Sequence, residues 1–339
     1  GFHDYASWGD RVRTSKGNLS GEEPFSKLID VPKTLTKPRL IASEPSEHMW
    51  CQQNIRHYIY TRVADSWIGE FLKFRDQTQN QELCLRGSVD GSLVTVDLSA
   101  ASDRVSCLCV GNMFRANLGL LHALRSSRTR FVSISQLNGG LLHELRMYST
   151  MGNATTFPVE SLIFLSIAIT ATLWAEGHRS VSLAKVRSLA GKVSVFGDDI
   201  IVPKDSWGPL KLLLEVFDFK VNTTKSFGTG LFRESCGVDA YAGQNITPAY
   251  WHGLFDGTPE SYASVLATSN NFYQRLLVNA AEQIRSTMQV GKIRFPLVPH
   301  GSGVSGFTSF VNPGVPPVVK TRWNLDLQRW ECWVPCFIS

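Results

Sequence analysis

Nine residues limit the folds open to this chain more than any others: Val195-Phe196-Gly197-Asp198-Asp199-Ile200-Ile201-Val202-Pro203. Apolar residues flank a glycine and two adjacent aspartates. The pattern reads as strand, tight turn, strand, with both carboxylates at the bend. A hairpin that needed only a turn would favour Asn-Gly or Asp-Gly. Adjacent carboxylates repel, and strand alternation sends their side chains to opposite sides, so at most one points squarely into a site. A divalent cation relieves the repulsion, and Mg²⁺ prefers carboxylate oxygens. Alone the tripeptide is weak, because at ordinary composition chance supplies one in roughly twenty chains of this length.

The rest of the chain supplies context. Its 339 residues suffice for two or three lobes with a shared core. With 43% hydrophobic and 19% charged residues, the composition is that of a folded protein and argues against long disordered stretches. A net charge of +5 permits a nucleic-acid partner without demanding one. The seven cysteines are odd in number and form no CxxC, which points to free thiols in a reducing compartment. The longest apolar run, 162–174, is short for a membrane span and carries Ser and Thr, so it reads as a buried helix. The chain begins at Gly1, as expected of a fragment or a processed product.

Along the sequence, 31–45 holds two early prolines and three cations and reads as extended strand or loop, and 47–75 reads as helix. Residues 93–98 are a strand leading into Asp97, and a helix capped by Ser102 or Asp103 is expected to run toward Leu121. Residues 125–148 alternate around Asn138-Gly139-Gly140, a hairpin signal. A polar loop, 149–155, precedes a helix entered at Pro158 and ended by Gly177. Further expectations are a strand at 192–196, an amphipathic helix at 207–218, strands through 247 and helix over 259–289.

Asp97 strengthens the metal reading. It closes an apolar strand, where open sheets place ligands. The alternative is that it caps the following turn. In the metal reading Asp97 and Asp198 share two ions, the arrangement that clamps the attacking and leaving oxygens of a phosphoryl transfer.

Three segments then stand in order: VTVDLSAASD at 94–103, STMGNATTFPVES at 149–161 and VFGDDIIVP at 195–203. With FRESCG at 232–237, they resemble the replicases of single-stranded RNA bacteriophages of the Qβ type, over about 31–335. The resemblance implies an α+β right-hand polymerase with an antiparallel palm sheet packed on helices. It implies partial fingers at 1–92, palm at 93–245 with a fingers-like insertion near 115–148, and partial thumb at 246–339. The implied activity is RNA-directed RNA synthesis by two-metal nucleotidyl transfer from nucleoside triphosphates, with Mg²⁺, or Mn²⁺ in its place.

Residue by residue, Asp97, Asp198 and Asp199 match the metal ligands, Asp199 as the lesser. Asp103 matches the aspartate that contacts the incoming ribose, and Ser149, Gly152 and Asn153 match the loop that senses its hydroxyl; without the resemblance Asn153 reads equally as a helix cap. Lys33 and Arg39, with Lys37 beside them, match the strand that meets the triphosphate, against the alternative of a solvated loop face. Lys225 matches the lysine that protonates the leaving pyrophosphate, or else is surface charge. Arg233 could bind backbone phosphate or pair near Glu234. Pro158 replaces an acidic residue expected in Qβ-like sequences, and both flanks are shorter than the family's.

The implied partners are RNA template and product, host elongation factors Tu and Ts and a small-subunit ribosomal protein, in the cytoplasm of an infected bacterium and without a membrane. A reverse transcriptase would usually carry an aromatic-x-Asp-Asp turn, which Gly197 disfavours. A non-catalytic RNA-binding remnant is disfavoured by three intact acids. A magnesium-dependent phosphatase leaves the Met-Gly-Asn and FRESCG segments unexplained.

Overall fold

The computed structural model describes residues 23–32, 38–134, 141–251, 255–289, 295–299, 305–310 and 321–333. The chain divides into two units, Gly1–Thr247 and Pro248–Ser339. Lys33, Lys37 and the Asn138-Gly139-Gly140 turn lie outside the described residues.

The first unit begins with strands β1 (Ser26–Pro32) and β2 (Pro38–Ser43), then helix α1 (Ser46–Ala64), a 3₁₀ turn (Trp67–Glu70) and α2 (Thr78–Asp90). Next come β3 (Leu93–Val96), β4 (Leu98–Ser99), α3 (Ala101–Arg104), α4 (Cys107–Met113), α5 (Leu118–Ser126), β5 (Phe131–Ile134) and β6 (Leu141–Glu144). The long α6 (Thr156–Ala175) and short α7 (Leu183–Arg187) precede β7 (Ser194–Phe196) and β8 (Asp199–Pro203). The unit ends with α8 (Trp207–Val216), β9 (Lys220–Val221), β10 (Phe232–Ser235), β11 (Val238–Tyr241) and β12 (Gln244–Asn245).

Its centre is an antiparallel sheet in the order β3-β8-β7, with Val96 opposite Ile200 and Phe196 opposite Asp199. Strand alternation explains why Ile200, Ile201 and Val202 are all fully buried. Ile200 and Val202 join the core built with α6, while Ile201 joins Leu83, Cys84, Val238 and Ala240 on the other side. A sheet covered on both faces tolerates such continuous apolar runs. A second sheet runs β2-β1-β5-β6, in which β5 pairs with β1 in parallel and β6 pairs with β5 antiparallel.

Helix α6 is apolar on every side. It is long enough to cross a membrane, yet 83% of its most apolar stretch is buried in the protein, which makes it the core helix. Gly177, at φ 76°, ends it, with the N–H of His178 returning to the Leu173 carbonyl at 3.0 Å.

The helix expected over 47–75 ends at Ala64, and sequence and structure part at three further places. The helix expected from 102 toward 121 is broken into α3, α4 and α5, because Ser106 and Asn117 each accept a bond from the backbone N–H three residues on and so start new helices. Neither Ser102 nor Asp103 is a cap; that position is Ala100. Helix α2 carried no apolar period to detect. Its buried face is Asn80, Leu83, Cys84, Gly87 and Ser88, and a Cβ on Gly87 would fall 2.8 Å from that of Leu93, so glycine lets helix and strand touch.

In the second unit, Thr258 caps α9 (Pro259–Gln274), and α10 (Val278–Gln289) follows. The single helix expected over 259–289 is interrupted at Leu276, whose φ is 62°. Strands β13 (Leu297–Pro299) and β14 (Phe307–Ser309) pair in parallel, and β15 (Thr321–Asn324) pairs antiparallel with β16 (Arg329–Cys332). Tyr262, Val265, Leu266, Ile284, Phe295 and Phe307 form its core.

Candidate active site

The β7–β8 register leaves Gly197 and Asp198 as a two-residue turn. Gly197 has φ 62°, and a Cβ there would sit 2.9 Å from the Phe157 ring, so backbone and packing both require glycine. Its N–H donates to Ser161 Oγ at 3.1 Å, which ties the turn to α6. On the neighbouring strand, Val96 opposite Ile200 brings Asp97 alongside Asp199.

Asp97 is held on three sides. Its Oδ2 accepts from Asn222 Nδ2 at 2.7 Å, its N–H donates to Ser226 Oγ at 3.1 Å, and its carbonyl accepts from the Asn222 N–H at 2.9 Å. It does not cap α3. Burial raises its carboxyl pKa and the Asp198 charge adds to that, against the Asn222 bond. Asp199 is pushed up to about 6, chiefly by burial and then by the charges of Asp198 and Asp97. Its Oδ1 accepts from Ser235 Oγ at 3.3 Å and its Oδ2 from Cys236 Sγ at 3.6 Å, so both oxygens are engaged by the β10–β11 turn.

Three mutually repelling carboxylates form a concentrated negative field at two strand ends. Among the described residues no group of three or more His, Cys, Asp or Glu side chains is gathered closely enough to hold a metal as it stands. The donor chemistry nonetheless fits a hard divalent ion. Asp97 and Asp198 are the residues that would hold it, with Asp199, whose oxygens also accept from Ser235 and Cys236, as the lesser contributor.

The 149–155 loop lies before α6. Ser149 is buried with its hydroxyl 2.7 Å from that of Thr156. Gly152 has φ 117°, and a Cβ there would fall 2.1 Å from the Ala42 carbonyl oxygen of β2. Asn153 is buried; its Oδ1 accepts from the N–H and hydroxyl of Thr155 at 2.8 and 2.7 Å, while Thr155 is the α6 N-cap residue. Asn153 therefore shapes the turn into the helix without capping it. Asp103, on α3, keeps an exposed surface although the chain around it raises its pKa by burial. Arg39 is exposed on β2.

Lys225 Nζ lies 3.2 Å from Glu234 Oε1. Burial lowers its pKa, but the bond to and charge of Glu234 outweigh that, so it is raised and the ammonium is kept. Arg233 is a correction to the sequence reading. It is 0% exposed. Its Nε donates to the Leu93 carbonyl at 2.6 Å and Nη1 donates to those of Phe232 and Gly230 at 2.6 and 3.1 Å. A guanidinium spent on buried carbonyls joins β10 to β3 and is out of reach of a phosphate backbone.

Sequence reasoning missed Glu160. It is 8% exposed on α6, its Oε2 is buried without a partner, and its pKa is raised far above the usual range by burial and then by Asp198 and Asp103. The available signal was a single acid in the apolar run 156–175.

The chain matches the family of RNA replicase beta chains over residues 13–274, and it belongs to that family. It is 36% identical over 233 residues to the RNA-directed RNA polymerase beta chain of Enterobacteria phage GA, covering 69% of this chain and 40% of that one. To the RNA-directed RNA polymerase subunit beta of Escherichia virus Qbeta it is 36% identical over 259 residues, covering 76% and 39%. To the beta chain of Escherichia phage MS2 it is 36% identical over 223 residues, covering 66% and 37%. The matches thus span well under half the length of these relatives. Among solved structures, apo telomerase from Candida tropicalis superposes with TM-score 0.49 and 9% identity, over 79% of this chain and 56% of that one, a likeness too slight to build on.

Proposed function

We propose that this chain carries the catalytic part of an RNA-directed RNA polymerase that copies the genome of an RNA phage inside an infected bacterium. The observation that carries the reading is the register that sets Asp97 beside the Gly197-Asp198-Asp199 turn. The β3-β8-β7 sheet with its covering helices is read as palm, the β2-β1-β5-β6 sheet as fingers and the second unit as thumb.

In this reading the growing strand's 3′ hydroxyl attacks the α-phosphate of a templated nucleoside triphosphate, and pyrophosphate leaves. Asp97 and Asp198 would hold two Mg²⁺, or Mn²⁺, which supply charge stabilisation at the attacking and leaving oxygens when bound. Asn222 and Ser226 fix Asp97 so that one carboxylate oxygen keeps its direction. Asp103 and Asn153, with the 149–155 loop, select ribose through its 2′ hydroxyl. Arg39 and Lys33 neutralise the triphosphate. Lys225, kept as an ammonium by Glu234, would give a proton to the leaving group.

The partners implied by the resemblance, elongation factors Tu and Ts and a small-subunit ribosomal protein, belong to the same proposal. Primer extension on RNA and on DNA templates, with ribo- or deoxyribonucleotides and with or without those factors, tests it. RNA-templated ribonucleotide addition is expected. DNA synthesis on the same template, or no templated addition under any condition, refutes it.

A further inference from the structure

The 149–155 loop is fastened to β2 and its sequel at two points. The first is direct: the Ala42 N–H donates to the Met151 carbonyl at 2.8 Å, and the missing side chain of Gly152 permits the approach. The second runs through Gln52, on α1. This side chain is 0% exposed. Its Nε2 donates to Glu44 Oε2 at 2.9 Å and to the Ser127 carbonyl at 2.8 Å, and its Oε1 accepts from the Ala154 N–H at 3.3 Å. Glu44, the residue after β2, also accepts from the Thr129 hydroxyl. With that hydrogen committed to Glu44, His48 Nδ1, 2.8 Å from Thr129 Oγ1, is the donor to it.

One buried amide thus joins the residues just past β2 and α5 to the helix-side end of the loop. The position demands two donors and an acceptor on one planar group. Glutamate lacks the donors and asparagine is shorter by a methylene. We infer that Gln52 is a positioning residue, which locks the loop that reads the ribose to the strand that bears Arg39, so that the sugar and triphosphate contacts stay in register. The inference rests on the polymerase reading given above. It predicts that loosening the amide costs sugar selectivity as well as stability. A buried polar network fixes geometry when every member is satisfied and fails as a unit when one is removed.

The test uses Gln52→Met, which keeps the volume and removes all three bonds. Two measurements are made on the 339-residue chain: amide hydrogen exchange over 38–43 and 150–155, and the efficiencies of ribo- and deoxyribonucleotide addition. Gln52→Met should speed exchange in both segments while leaving β7 and β8 protected. It should lower ribonucleotide efficiency by on the order of a hundredfold, the scale of a 1 Å misplacement, with a smaller loss for deoxyribonucleotide, so that their ratio narrows. Unchanged exchange in 150–155, or equal losses for both sugars, would overturn the inference and leave Gln52 a packing residue. If the unaltered chain adds no nucleotide, the polymerase reading fails by itself, and the exchange data still decide whether Gln52 ties loop to strand.

Discussion

Replacing Arg233 by methionine separates its structural role from a role in binding RNA. The side chain is fully buried and gives three hydrogen bonds to carbonyls, of which the one to Leu93 crosses from β10 to β3. Charge-assisted bonds of this kind contribute about 1.5–3 kcal/mol each. Methionine fills similar space and strands the three acceptors. Against that, it removes a buried cation whose desolvation costs several kcal/mol and whose Nη2 has no partner. Set against each other, the lost bonds and the relieved desolvation leave a net loss of about 2–4 kcal/mol. In a unit of this size each kcal/mol moves the melting temperature by about 2–4 °C, so a drop of roughly 5–15 °C is expected. Thermal melts would measure it, alongside RNA affinity across a salt series. Lost phosphate contacts lower the slope of log affinity against log salt, whereas a structural arginine leaves the slope of the folded protein unchanged. An unchanged melting temperature together with a shallower salt slope would refute the burial argument and return Arg233 to the RNA surface.

Gly152→Ala places a Cβ against the Ala42 carbonyl at an unfavourable φ, and backbone strain alone costs about 1–3 kcal/mol, so a lower melting temperature and a higher nucleotide KM should appear together. Glu160 has a folded pKa far above its ordinary 4.5, so the native state retains its proton and stability falls as pH rises from about 4.5 toward the folded value. Melts of the metal-free chain from pH 5 to 8 should therefore slope downward, and Glu160→Gln should flatten part of the slope; an identical slope in both proteins would contradict the assignment. Changing Asp103 and Asn153 together to alanine should narrow the preference for ribonucleotides, read as the ratio of incorporation efficiencies.

Residues whose chemistry contradicts their local structure were the legible ones. Two aspartates at an apolar bend, and a third closing an apolar strand, announce a site because neither placement helps folding. The register then sets them side by side. Helix α6 was legible from its apolar length and Gly177. Helix α2 was not, because it buries Asn80, Gly87 and Ser88 and so carries no 3.6-residue apolar period. The breaks between α3, α4 and α5 depend on caps at Ser106 and Asn117 that compete with an otherwise helical pattern. Arg233 and Gln52 were misread or unseen for one reason: a buried polar side chain is defined by partners far along the chain, Leu93 for one and Ala154 for the other.

Single-nucleotide incorporation with Mg²⁺ by Asp97→Asn, Asp198→Asn and Asp199→Asn tests the central claim most directly. On the proposed reading Asp97 and Asp198 are the acids that would chiefly hold the ions, so each of those changes should lower the rate about a thousandfold or more. Asp199→Asn should be milder, because its oxygens already serve Ser235 and Cys236. Near-normal rates from Asp97→Asn or Asp198→Asn in a folded protein would contradict the account.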